Sequence, residues 1–193
     1  VNRRVVVTED EALIRLDLVE LLVEAGYEVV GQAGDGQAGV DLVRELKPDL
    51  ALFDVKLPGL DGISAAELVA DISAVVLLTA FSQQELVERA VAAGVMAYVV
   101  KPFGAADLLP ALEVAWARFQ QVRMLTADLD AAVDQLATRK LMDRAKGLLM
   151  VGHGMSEPEA FRWLQKSAMD RRRSLAEVAQ LVVDELGGKS SAV

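Results

Sequence analysis

Five short runs rich in Val, Leu and Ile recur through the first 118 residues, each followed by a stretch with helical spacing. The runs are Arg4–Thr8, Tyr27–Gly31, Leu50–Asp54, Val75–Thr79 and Met96–Val100. Most lack the polar alternation of a half-solvated strand, so both faces have to be covered, as in a parallel sheet sandwiched by helices. Leu18, Leu21, Leu22 and Ala25 supply one apolar helical face between two of the runs. Lys47-Pro48 and Ala92-Ala93-Gly94 mark helix ends before a new strand. The pattern predicts an α/β domain over residues 1–118, a doubly wound five-stranded parallel sheet of order 2-1-3-4-5. The ligand site of such a sheet lies at the carboxyl ends of its strands.

The 193-residue length suits one large domain or two small ones with a real core. Absence of cysteine excludes disulfides and thiol catalysis and agrees with a reducing cytoplasm. A single histidine, His153, excludes a histidine-based metal cluster. No apolar stretch approaches the ~20 residues that span a bilayer, and VNRRVVVTED does not read as a signal peptide. A cytoplasmic protein without a membrane partner is expected. The net charge of -9 is uneven: residues 1–135 hold 10 basic and 22 acidic residues, residues 136–193 hold 10 and 7. An acidic first part repels nucleic acid, whereas the second part tolerates it.

From Leu112 the spacing changes. Leu112/Ala115, Phe119/Val122, Thr126/Leu129 and Val133/Leu136 keep a 3–4 alternation that ends at Lys140 and Asp143. Two readings stand: a coiled-coil seam that pairs two copies, or one long helix packed on its own domain. Residues 119–135 are read as a helical linker. Residues 136–193 then read as a small three-helix domain. Its first helix, about 138–151, carries Leu141, Ala145, Leu148 and Leu149 on one side and ends at Gly152 and Gly154. Ser156-Glu157-Pro158-Glu159 and Ser174-x-x-Glu177 are capping-box signatures that open the other two. Phe161, Leu164 and Ala168, then Leu175, Val178 and Val182, form the facing apolar stripes. Trp163 is read as core with Phe161.

The chemistry sits at the strand ends. Asp54 closes the third run, and Glu9 and Asp10 follow the first. In order 2-1-3-4-5 these strands are neighbours, so three carboxylates converge. Such a group raises its own pKa values unless a cation holds it together, and oxygen ligands with room for water suit Mg²⁺. Thr79 ends the fourth run, and Lys101-Pro102 follows the fifth. An acidic nucleophile, two further acids, a hydroxyl and an ammonium together suit phosphoryl transfer to a carboxylate.

TEDE (Thr8–Glu11), DVKLPGLDG (Asp54–Gly62), TA (Thr79–Ala80) and YVVKP (Tyr98–Pro102) resemble the receiver domain of two-component response regulators over residues 1–118. The resemblance implies a sensor histidine kinase as partner and Asp54 as phosphoacceptor. Asp10 would ligate Mg²⁺ directly, Glu9 through water, and the Lys56 carbonyl would be a further ligand. Thr79 and Lys101 would hold phosphoryl oxygens, with Thr79 and Tyr98 as the switch pair and Lys101-Pro102 as a candidate cis bond. Glu9 departs from the commoner aspartate but keeps the charge. Lys56 and Phe81 occupy the positions tied to phosphoryl lifetime, and bulky Phe81 is expected to hinder the hydrolytic water.

In the last third, RKLMDRAKGLLM (Arg139–Met150), MSEPEAFRWLQ (Met155–Gln165) and SLAEVA (Ser174–Ala179) resemble the ANTAR domain of antitermination regulators. That family binds RNA, typically paired small-loop hairpins, and prevents a terminator from forming. At about 100° per residue, Lys140, Arg144, Gly147 and Val151 share one helix face beside the core stripe. Lys146 joins these RNA-contact candidates. Arg171, Arg172 and Arg173 precede the third capped helix, whose N-terminal amides favour phosphate. Two alternatives stay open for this domain: a DNA reader, opposed by Glu177, Asp184 and Glu185, and a protein-docking module. Outside the receiver pocket no convergent catalytic set is found, so a stand-alone enzyme is not expected. The combined expectation is an RNA-binding antiterminator that dimerises on phosphorylation.

Overall fold

Strands β1 (Arg4–Thr8), β2 (Glu28–Ala33), β3 (Leu50–Asp54), β4 (Ala74–Thr79) and β5 (Ala97–Val100) form one parallel sheet in the order β2-β1-β3-β4-β5. The structure is a computed structural model and describes residues 2–80 and 84–187. Helices α1 (Ala12–Glu24), α2 (Gly36–Leu46), α3 (Gly62–Glu67) and α4 (Gln84–Ala92) connect the strands. Strand side chains alternate between two buried layers, as period-2 geometry demands. Val5, Val7, Leu50, Leu52, Val76 and Leu78 pack with Leu18 and Leu22 of α1. Val6, Ala51, Phe53, Val75 and Leu77 pack with Val40 and Val43 of α2, Ile63 of α3, and Ala90 of α4. Burying each Leu or Phe contributes about 1.5–3 kcal/mol.

Both limits of the second strand differ from expectation, and β4 begins one residue early, at Ala74, and β5 one residue late, at Ala97. The second run begins at Glu28 rather than Tyr27 and continues to Ala33, because its end pairs with Thr8 after a register shift between Val5 and Val6. Tyr27 instead lies buried before the strand and donates its phenol to Glu113 Oε1 at 2.8 Å. Burial and that bond push its pKa up to about 12. Arg3 pairs with the same Glu113 and lies over the Trp116 ring, 5.6 Å from its centroid.

Helix α5 (Ala105–His153) runs without a break through the segments expected to be a linker and a separate helix. The chain divides into two compact units within α5, after Met124. The candidate seam splits accordingly. Leu112, Ala115 and Phe119 are buried against the first unit's sheet, which satisfies the packed-helix reading for that half. Leu129, Val133 and Leu136 are exposed. Gly152 lies inside α5, and Gly154, at φ +66°, follows its end.

The second unit is built from the end of α5, α6 (Glu157–Arg171) and α7 (Leu175–Gly187). Ala145, Leu149, Ala160, Leu164, Ala168, Val178 and Val182 form its core. Both capping boxes are present. Glu159 Oε2 accepts from the Ser156 N–H at 2.8 Å, and Glu177 Oε2 accepts from the Ser174 N–H at 2.7 Å. Phe161 and Trp163, expected in the core, are exposed. The buried row of α6 is Ala160, Leu164 and Ala168, at four-residue spacing, and both aromatics flank it. Among the described residues, no helix is long and apolar enough to cross a membrane.

Candidate functional site

The adjacent ends of β1 and β3 bring Glu9, Asp10 and Asp54 together, with carboxylate oxygens all within 4.8 Å of one another. Glu9 is fully buried, Asp54 nearly so, and Asp10 is exposed. The Lys101 ammonium lies between two of them, 2.6 Å from Glu9 Oε2 and 3.1 Å from Asp54 Oδ1. Burial pushes the Glu9 carboxyl above its ordinary range, and the Lys101 hydrogen bond only partly offsets this. Burial also opposes the charge on Lys101, but its bonds to Glu9 and Asp54 prevail and raise its pKa. One ammonium therefore faces three acids. This donor set is all oxygen, partly solvent-reached and short of positive charge, so it fits a hard divalent cation such as Mg²⁺.

Local geometry explains the glycines after Asp54. Gly59 takes φ +75°, which favours glycine. Asp61 caps α3 by accepting from the Ile63 and Ser64 amides at 3.0 and 3.1 Å. Burial works against the Asp61 charge, yet the Ser64 and backbone hydrogen bonds hold its pKa below the usual carboxylate value. A Cβ on Gly62 would lie 2.0 Å from the carbonyl oxygen of Asp54, so that position admits no side chain. A Cβ on Gly36 would lie 2.0 Å from the Leu60 carbonyl oxygen, so the start of α2 clamps the same loop. Sequence reasoning missed Gly36; the Gly36-x-x-Gly39 spacing at the start of α2 was the available signal.

Thr79 is buried at the end of β4, and its carbonyl accepts from the Lys101 N–H at 2.7 Å. The Lys101-Pro102 bond is cis. Tyr98 on β5 is 46% exposed, so its ring faces outward here. Lys56 is exposed and lines an open cleft of about 600 Å³ with Asp10, Leu57, Asp61 and Arg89. Phe81 lies outside the described residues.

In the second unit, Lys140, Arg144 and Val151 are exposed along one face of α5. Nothing lies within 4 Å of a Cβ built on Gly147, so packing does not demand its glycine. Lys146 differs from its neighbours. Its ammonium is 2.8 Å from both Asp143 and Glu157, which commits its charge within the unit. Arg171, Arg172 and Arg173 are exposed, with Arg172 at φ +51° as the C-cap of α6. The start of α7 is less open to phosphate than expected. Its Glu177 carboxylate already accepts the Ser174 N–H, and the Glu177 N–H donates to Ser174 Oγ at 3.2 Å.

Comparison with known proteins agrees with this division. A family model described as a response regulator receiver domain matches residues 5–113, and one described as an ANTAR domain matches residues 130–183. The chain is 54% identical over 189 residues to the transcriptional regulatory protein PdtaR of Mycobacterium tuberculosis, covering 97% of this chain and 92% of that one. It is 34% identical to the chemotaxis protein CheY of Thermotoga maritima, over 58% of this chain and 95% of that one. Among solved structures, the signal receiver domain of the response regulator NarL from Mycobacterium tuberculosis superposes with a TM-score of 0.56 at 32% identity, covering 59% of this chain and 96% of that one.

Proposed function

The chain belongs to the response regulators in which a receiver domain precedes an ANTAR domain, and from that premise we propose that it is an RNA-binding antiterminator switched by phosphorylation of Asp54. The observation that carries this reading is the Lys101 ammonium bridging Glu9 and Asp54 at the strand ends. A nucleophilic carboxylate held beside a fixed cation is what acceptance of a phosphoryl group requires.

A sensor histidine kinase in the cytoplasm is the phosphoryl donor. An Asp54 carboxylate oxygen attacks phosphorus in line as the P–N bond of a phosphohistidine breaks. The imidazole, already protonated on its other nitrogen, leaves as the neutral ring with the P–N bonding pair. Lys101 then exchanges its hold on Asp54 for a phosphoryl oxygen, and the Thr79 hydroxyl donates to another. Glu9, Asp10, Asp54 and the Lys56 carbonyl are the groups to hold Mg²⁺, which when bound supplies positive charge to the phosphoryl oxygens. Acceptance and hydrolysis of the phosphoryl group are self-catalysed, and the chain has no other enzymatic role in this proposal.

Movement of Thr79 toward the phosphoryl group leaves space into which Tyr98 turns, so the β4–β5 face changes shape. That change is relayed to α5, whose exposed Leu129, Val133 and Leu136 pair two copies. Two ANTAR units then engage paired RNA hairpins, and effective concentration raises the affinity. Lys140, Arg144, Gly147 and Arg171–Arg173 are the proposed contacts; Lys146 supports the fold through its ion pairs.

The test is binding of a two-hairpin RNA at several salt concentrations with Mg²⁺, before and after loading Asp54 with beryllofluoride. Tighter, salt-sensitive binding after loading, absent in Asp54→Asn, is expected. Binding only to a duplex DNA control, or to neither, refutes the RNA reading and leaves the receiver intact. A monomeric mass in both states refutes pairing through α5.

A further inference from the structure

The second unit contains two aromatic residues, Phe161 and Trp163, and both stand on the outside of α6. Phe161 is 41% and Trp163 38% exposed, so each ring keeps more than a third of its surface in water while the rest packs on the domain. The surroundings of Phe161 give that exposure a direction. Phe161, Gln165 and Met169 form one four-residue row along the helix, and all three are exposed. Met169 is 79% exposed. The adjacent row is Arg162, Lys166 and Asp170, also exposed, and Arg172 and Arg173 follow at the helix end. None of the four exposed cations Arg162, Lys166, Arg172 and Arg173 is in a salt bridge of 4.0 Å or less among the described residues. This contrasts with the doubly paired Lys146.

We propose that this outer face of α6 is a reading surface for unpaired RNA loop bases, with Phe161 as the stacking platform and Arg162, Lys166, Arg172 and Arg173 as its phosphate contacts. The proposal rests on the RNA reading above and deepens it. Cations rowed beside an exposed ring and a polarisable thioether match a single-stranded loop, whose splayed bases offer flat faces and whose backbone offers charge. Gln165, between the ring and Met169, presents both a donor and an acceptor to a base edge. An acidic peptide would satisfy the cations but would leave the ring without a flat partner.

The experiment uses the full chain and a pool of paired RNA hairpins with randomised small loops, from which the tightest binder of wild-type protein is taken. Phe161→Ala should weaken that RNA about ten-fold or more, while Phe161→Tyr keeps most of the affinity. With 2-aminopurine in the loop, wild type should change its fluorescence and Phe161→Ala should not. Lys166→Gln should lower the slope of log affinity against log salt by about one, whereas Phe161→Ala leaves that slope unchanged. Arg172→Gly should weaken RNA binding severalfold without lowering the melting temperature, an outcome that a purely structural role for Arg172 does not produce. Wild type binding a member of the pool, with Phe161→Ala folded and equal to it, overturns the proposal and spares the RNA reading. No binding by wild type overturns both. If Phe161→Ala unfolds, Phe161→Leu with the same fluorescence readout decides: a retained loop signal refutes stacking.

Discussion

Replacing Lys101 with methionine isolates the contest between an ammonium and a metal for the same oxygens. The Lys101 nitrogen lies 2.6 Å from Glu9 and 3.1 Å from Asp54. At an effective dielectric of ~20, unit charges about 3 Å apart attract by roughly 5 kcal/mol, and desolvation of the partners opposes most of this. Removing one partner of a buried pair typically costs about 3–5 kcal/mol, because the other charge is left without compensation. The Lys101 side chain is 17% exposed, so water screens part of the loss. The expected destabilisation of the receiver in metal-free buffer is therefore about 2–3 kcal/mol. Excess Mg²⁺ should restore part of it, since the ion reaches carboxylates that no longer have an internal cation. If the deficit narrows by about 1.4 kcal/mol, the variant binds Mg²⁺ about ten-fold more tightly than wild type.

Urea unfolding followed by Trp116 fluorescence in a Trp163→Phe background reports the receiver separately from the second unit. Acidity gives an internal control. Burial already holds Glu9 above its unfolded pKa, and loss of the lowering pull of Lys101 moves it higher still. A carboxyl with a raised folded pKa favours the fold below its unfolded value and loses that contribution as pH rises through the folded value. The deficit of Lys101→Met should thus be smallest in acid and grow toward neutral pH. A deficit that is the same with chelator and with excess Mg²⁺, together with an unchanged Mg²⁺ affinity by calorimetry, would refute the shared-oxygen account.

Three further outcomes are expected. Gly62→Ala places a methyl 2.0 Å from the Asp54 carbonyl oxygen, so it should destabilise the receiver by about 1–3 kcal/mol in urea unfolding and slow phosphoryl acceptance by displacing Asp54. In a Tyr98→Phe background, ultraviolet titration should find the Tyr27 phenol ionising near pH 12, and Glu113→Gln should lower that value. Because the folded pKa is raised, Tyr27 favours the fold below its unfolded pKa, and that contribution is lost as pH rises toward 12. Lys146→Gln should leave the salt slope of RNA binding unchanged, whereas Lys140→Gln should reduce it, since the Lys146 charge is already held by Asp143 and Glu157.

The sequence carried the sheet because its signals are local. Unalternated Val and Leu runs demand cover on both faces, and Asp54, Thr79 and Lys101 stand at or just past run ends whatever the details of packing. The capping boxes at Ser156 and Ser174 are local in the same sense, since their partners lie three residues away. The tertiary structure decided whatever depended on which surfaces meet. The 3–4 spacing from Leu112 to Leu136 could not separate helix-on-sheet packing from a seam, because both bury the same stripe; the extent of the sheet settled it as far as Phe119. Phe161 and Trp163 lie outside the core because Ala160, Leu164 and Ala168 form the buried row of α6, and positions 161 and 163 fall to either side of that row. The bridge from Lys101 to Glu9 joins residues 92 positions apart. Side-chain pattern fixes the period and the face of each element, whereas the pairing of charges is fixed only when strand order and helix packing bring the ends of those elements within a few ångströms.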